Sequence, residues 1–191
     1  LISTINLLNN INNKTKFIFV SSAAVYAPSE RALVEDDSEI KPVDIYGYTK
    51  LHGEDYTRLF MKQNNIQAAI VRLFNVIGPG ETNPHILPEI INQLKEGNKV
   101  LSLGNIESKR DFIDVRDVAK GLLKIGNCQL NKLSSSSIVN LGSGKTYSMK
   151  ELLNFVREIS KIDFTIIQDP KKLRPVDNPV LLASLDKIKK E

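Results

Sequence analysis

Tyr46 and Lys50 are four residues apart, a separation that puts two side chains on one face of a helix, one turn apart. A phenol with the ordinary pKa of about 10 is a poor base at neutral pH, and an ammonium held beside it favours the phenolate. Such a pair is suited to moving a proton to or from a carbonyl or hydroxyl oxygen while hydride moves at the adjoining carbon. The spacing is common by chance, so its position matters more than the match. The helix that would carry it follows the apolar run Lys16–Ser22 (KFIFVSS), which ends in Ser21-Ser22. In an open parallel sheet, ligands lie at the carboxyl ends of the strands. A serine there could hydrogen-bond the same substrate oxygen as Tyr46, although the pair is read equally well as a strand-end turn.

The elements that must position these residues are legible in outline. Leu1, Ile5, Leu8 and Ile11 recur at helical spacing, which predicts a helix over 1–12. Lys16–Ser22 and Ala68–Phe74 (AAIVRLF) have the near-continuous apolar character of strands buried on both faces. Between them, Ile45 to Gln63 reads as a helix, and Asn75–Pro84 as an irregular loop with Gly78, Pro79 and Gly80. A helix is predicted over Ile86–Lys95, stopped by Gly97, and short strands at Val100–Leu103 and Phe112–Val115. A helix over Val115–Ile125 follows, then a linker at Ser134–Ser137 and a strand at Ile138–Leu141. Ser148 and Glu151 form a capping box for a helix Met149–Ile159. A last strand is expected at Phe164–Ile167 and a final helix from Ser184 to Lys190. Strands alternating with helices predict an α/β fold around a parallel sheet.

Composition narrows the function classes. Of 191 residues, 41% are apolar and 25% charged, as in ordinary globular proteins, and the longest apolar runs fall well short of a membrane span. The net charge of +4 is spread among 22 acidic residues without aromatic platforms, which argues against nucleic acid as a partner. A lone cysteine, Cys128, and no Cys/His spacing of a zinc site predict a reducing, cytoplasmic setting and no metal. The chain begins at Leu1 inside one amphipathic pattern and stops at Glu191 inside a charged one, as a piece of a longer protein would.

Five motifs in order make the chain recognisable. Phe19–Tyr26 (FVSSAAVY) with Tyr46-Gly47-Tyr48-Thr49-Lys50 resembles the catalytic stretch of the extended short-chain dehydrogenases/reductases, the NAD-dependent epimerases and dehydratases. Arg72–Gly80 (RLFNVIGPG), Lys109–Val118 (KRDFIDVRDV), Asn140–Gly144 (NLGSG) and Leu173–Asp177 (LRPVD) resemble the family's further elements. The resemblance implies part of a Rossmann-like doubly wound parallel sheet, built from 1–76 and about 111–146. A smaller α/β nucleotide-sugar domain would come from about 77–110 and 147–191. It further implies that Ser22, Tyr46 and Lys50 are catalytic, with Ser22 polarising the sugar oxygen, Tyr46 transferring the proton and Lys50 also holding the nicotinamide ribose. Ser21 joins Tyr46 and Lys50 at an NAD or NADP cofactor, and Asn75, Arg110 and Arg174 hold the nucleotide-sugar. On local grounds alone, Arg110 reads as a surface partner of Asp111, and Arg174 as a tail charge.

The same resemblance ranks reactions. Ala23 and Ala24 stand where dehydratases of the family carry proton-transferring acidic residues, which disfavours water removal. The stretches 104–112 and 169–180 are similar to those of reductases acting on GDP-4-keto-6-deoxy-mannose. The expected reaction is therefore reduction at sugar carbon 4, with UDP-hexose 4-epimerase as the alternative. Ala27 for glycine, Val76 for histidine and Thr49 for serine are departures that bear on the substrate. The family's glycine-rich cofactor turn is not found in the chain. A non-catalytic fragment or interaction module that kept the fold is thus a competing reading, opposed by the intact Ser22, Tyr46 and Lys50. A homodimer through helices 1–12 and 45–63 is expected from the family. His52 reads as a surface or interface residue, and His85 as a helix-start residue with little claim to a substrate contact.

Overall fold

β-Branched and aromatic residues with few charges make Lys16–Ser22 (β1) and Gln67–Leu73 (β2) strands that can be covered on both faces. In the computed structural model, which describes residues 1–83, 85–128, 138–173 and 177–190, they pair in parallel from Lys16 opposite Gln67 to Ser22 opposite Leu73. Ile138–Leu141 (β6) adds to the other edge of β2, also parallel, giving the order β1-β2-β6. Helix α2 (Ile45–Asn64) connects β1 to β2; it starts where Asp44 accepts a hydrogen bond from Gly47 N at 2.7 Å and ends at Asn65 in a left-handed conformation. Helix α4 (Val115–Asn127) buries Val118 and Ile125 against Ala69, Val71, Val139 and Leu141 of the sheet. Phe19, Ile70 and Ile138 form a second cluster, and α1 (Ile2–Asn9) packs on α2.

A second sheet is organised by β5 (Lys109–Asp114). It pairs in parallel with β3 (Asn75–Ile77) and β9 (Val180–Leu181), and antiparallel with β7 (Thr146–Ser148). The parallel pair β4 (Val100–Leu103) and β8 (Thr165–Gln168) lies with α3 (Ile86–Lys95) and α5 (Met149–Ser160) around its own cluster of Ile90, Leu101, Leu103, Leu153 and Phe164.

Several expectations are corrected. The first helix stops at Asn9 rather than Asn12. Asn10 hydrogen-bonds Asn6 O and Asn12 Oδ1 takes Lys14 N, the local side-chain bonds by which asparagine competes with helix. The loop expected at 75–84 begins as strand β3, and the strand expected from Phe112 begins at Lys109, because β7 and β9 supply partners for Lys109 and Arg110. The helix expected over Ser184–Lys190 is, among the described residues, a series of turns with one i to i+4 bond, Lys189 N to Leu185 O. The capping box is present as expected, with Ser148 and Glu151 bonded reciprocally. The expected linker at 134–137 lies outside the described residues.

Candidate active site

Alternation along β1 sends its last two side chains opposite ways. Ser22 is half-buried and caps the 3-10 turn Ala23–Val25, its Oγ accepting from Ala24 N at 3.2 Å. Its hydroxyl proton therefore remains available to a ligand oxygen. The first turn of α2 is brought against this turn by Gly47, where a Cβ would lie 2.4 Å from Ala24 O, a close approach only glycine allows. Tyr46, next to Gly47, is 55% exposed, and its hydroxyl makes no hydrogen bond among the described residues. Lys50 lies one turn on, half-buried, its Nζ donating to Val20 O at 2.9 Å, 5.6 Å from the centroid of the Tyr46 ring and 5.7 Å from that of Phe19. Both distances are within cation–π range. Burial lowers the Lys50 pKa below the ordinary lysine value. The structure thus gathers Ser22, Tyr46 and Lys50 at the carboxyl end of β1.

Ser21 points the other way. It is 2% exposed, and its hydroxyl donates to Glu54 Oε1 at 2.6 Å, so its side chain supports the site from within the protein. Glu54 is fully buried and takes Arg72 in a two-pronged ion pair, Nε to Oε1 at 2.9 Å and Nη2 to Oε2 at 2.7 Å. Burial opposes the charge on Arg72, but hydrogen bonding and attraction to Glu54 outweigh it and raise the guanidinium pKa. Arg72 also stacks on Tyr26, whose hydroxyl donates to Asn140 Oδ1 at 2.8 Å, and Asn140 N donates to Glu35 Oε1 at 2.7 Å. This network ties α2, β1, β2 and β6 together beneath the candidate catalytic residues. Removing one partner of such a buried pair costs about 3–5 kcal/mol. Sequence reasoning did not single it out, although Arg72 inside an otherwise apolar strand is a signal that a buried partner must exist.

The other predicted substrate residues meet in a separate place. Two residues beyond Leu73, the partner of Ser22, Asn75 leads into a cleft of about 610 Å³. Asn75 and Arg110 line it; Ser22, Tyr46 and Lys50 do not. The Asn75 side-chain oxygen is buried with no hydrogen-bond partner among the described residues. Arg110 donates to Asp177 and to Asn178 O at 2.7 Å, and Asn105 Nδ2 donates to the other Asp177 oxygen at 2.8 Å. Arg110 is therefore no loose surface charge; it fastens the chain near Asp177 to one wall of the cleft. Its neighbour Asp111, fully buried, accepts from Ser143 N and Oγ, both at 2.7 Å, from Gly144 N at 3.0 Å and from Ala183 N at 3.2 Å. Arg174 lies outside the described residues. His85, given little weight by its sequence context, lines the cleft and pairs with Glu81 at the start of α3. His52 is exposed.

The chain has relatives among proteins of known activity and structure. The chain is 27% identical over 184 residues to GDP-6-deoxy-D-mannose reductase of Pseudomonas aeruginosa, a match covering 91% of the chain and 59% of that protein. It superposes on RMD from P. aeruginosa complexed with NADPH with a TM-score of 0.85 and 25% identity, over all of the chain and 65% of that structure. It superposes equally well, at 0.85 and 26% identity, on UDP-glucuronic acid 4-epimerase from Bacillus cereus in complex with UDP-glucuronic acid and NAD, over 99% of the chain and 59% of that structure. The chain thus spans about three fifths of the length of the relatives it matches. The expected α/β fold with a Rossmann-like parallel sheet is borne out by these neighbours. Residues 1–142 match the sequence profile of a single family. The chain belongs to the NAD dependent epimerase/dehydratase family.

Proposed function

We propose that this chain carries the proton-transfer and substrate-holding parts of an NAD(P)-dependent nucleotide-sugar oxidoreductase that reduces a GDP-4-keto-6-deoxy-hexose at carbon 4. The observation that carries this reading is the grouping of an open Tyr46 hydroxyl, the Ser22 hydroxyl and the half-buried Lys50 ammonium at one strand end. The similarity to the P. aeruginosa reductase supports the choice of sugar, and the methyl groups of Ala23 and Ala24, which cannot exchange protons with carbons 5 and 6, favour carbon-4 redox chemistry over removal of water.

A nicotinamide nucleotide fits this end of the sheet: Lys50 has donated one of its three N–H groups to Val20 O, leaving two for a ribose hydroxyl and the phenolic oxygen. When bound, that nucleotide supplies the hydride. Tyr46 delivers the proton to the carbon-4 oxygen, Ser22 hydrogen-bonds that oxygen, and Lys50 stabilises the negative charge Tyr46 is left with. Asn75 and Arg110 hold the nucleotide-sugar along the cleft. Residues 1–76 and about 111–146 would form the cofactor half, and about 77–110 with 147–191 the substrate half; the separate apolar cluster around Leu101 and Leu153 supports that division.

The test is NADPH and NADH consumption with GDP-4-keto-6-deoxy-mannose, using the full-length product of the reading frame. Tyr46→Phe is expected to lower kcat about 10²–10⁴-fold, the usual worth of a positioned proton donor. No consumption by the parent, with interconversion of UDP-glucose and UDP-galactose instead, would replace the reductase by an epimerase. Silence in both assays would count against catalysis altogether.

A further inference from the structure

Lys50 and Glu54 are an i, i+4 pair on the inner face of α2, the spacing at which lysine and glutamate ordinarily meet on a helix. They do not meet here. Lys50 Nζ turns to Val20 O and lies over the Tyr46 ring. Both Glu54 oxygens are taken by Arg72, and one of them also by Ser21. Arg72 is itself constrained from two further sides: its guanidinium lies 4.7 Å from the Tyr26 ring centroid, and Nη1 donates to Glu35 O at 3.3 Å. Without Arg72 the buried carboxylate would have no cation, and the ammonium one turn away on a flexible four-carbon stem would be within reach. In a poorly solvated setting, an ammonium–carboxylate contact is stronger than a single hydrogen bond to a neutral carbonyl.

We infer that Arg72 is a positioning residue for the Tyr46–Lys50 pair: by occupying the Glu54 carboxylate it keeps Lys50 directed at Tyr46. The inference rests on the proton-transfer role proposed for Tyr46. It differs from a purely structural role for the ion pair because it makes the two partners unequal. Loss of Arg72 releases a carboxylate that captures Lys50, whereas loss of the Glu54 charge leaves Lys50 where it is.

The experiment is trace labelling of Lys50 with acetic anhydride in the folded full-length protein, quantified by mass spectrometry for the parent, Arg72→Met, Glu54→Gln and the double variant. Arg72→Met is expected to slow Lys50 labelling about tenfold or more, since pairing with Glu54 worth one pKa unit already reduces the free amine tenfold. Glu54→Gln and the double variant should label at the parent's rate. If Arg72 only fastens α2 to the sheet, its loss loosens the helix and labelling quickens; that result, or an unchanged rate, overturns the inference. Should Arg72→Met fail to fold, Arg72→Gln, which keeps hydrogen-bond donors, carries the same expectations. In turnover, Arg72→Met should lower kcat with little change in KM for the nucleotide-sugar, and the double variant should regain it. A parent without turnover overturns the functional reading alone, because labelling is read without substrate.

Discussion

Ser21 and Ser22 are neighbours in the chain with opposite duties, one bonded to a buried carboxylate and the other capping a turn at the open end of the strand. The choice between them follows from strand alternation, once the side of β1 covered by α2 is known. Tyr26 shows the same division between ring and hydroxyl: the ring carries Arg72, and the hydroxyl holds Asn140. Burial is the main reason its pKa is raised, with Arg72 working against the shift. A phenol that stays protonated longer in the folded state makes the unfolded state the one that binds fewer protons above about pH 10, so stability falls as pH rises from there through the folded value. Alkaline denaturation curves should therefore be steeper for the parent than for Tyr26→Phe. At neutral pH the variant should be about 1–3 kcal/mol less stable, because the Asn140 oxygen is left unpaired. Chemical denaturation at several pH values measures both effects. An identical pH slope in the two proteins would show that Tyr26 does not titrate as its surroundings require.

At the scale of elements, α2 sets the geometry of the site through what it lacks. A Cβ at Gly53 would lie 2.3 Å from Phe19 Cζ, so the helix comes close to β1 only because that position has no side chain. Gly53→Ala must push α2 outward or displace the Phe19 ring. It is expected to cost about 1–3 kcal/mol as overpacking, and to lower kcat by moving Tyr46 and Lys50 relative to Ser22. Thermal melts and initial rates test the two together; a variant with parental melting and rate would show that Phe19 yields freely. The long elements, β1, β2, α2, α3 and α5, were legible because each displays its own period or apolar run over many residues. The short strands β3, β7 and β9 were not. Each has two or three residues and exists only because β5 offers it a ladder, a partner lying 30 or more residues away in sequence.

For the molecule as a whole, α1 and α2 leave apolar side chains in solvent, with Ile2 76%, Leu7 58% and Leu59 52% exposed. Apolar surface of this kind on two packed helices is what a helical-bundle interface between subunits would cover. We expect the full-length protein to be a dimer by sedimentation, and Leu59→Glu to shift it toward monomer. A parent that sediments as a monomer at micromolar concentration would remove helices 1–12 and 45–63 as the interface. The described residues contain no helix long and apolar enough to cross a membrane.

The local order of residues determined a good deal: the alternating α/β pattern, the helix placing Tyr46 and Lys50 on one face, and the capping box at Ser148. Those properties depend on contacts within a few residues, where period and capping chemistry suffice. Only the tertiary structure decided that Arg72 and Glu54 meet, that Arg110 is fastened to Asp177, and that the Asn75 oxygen is buried with no partner among the described residues. Each depends on groups brought together by folding. A buried charge requires a partner, but local pattern does not say which distant residue supplies it.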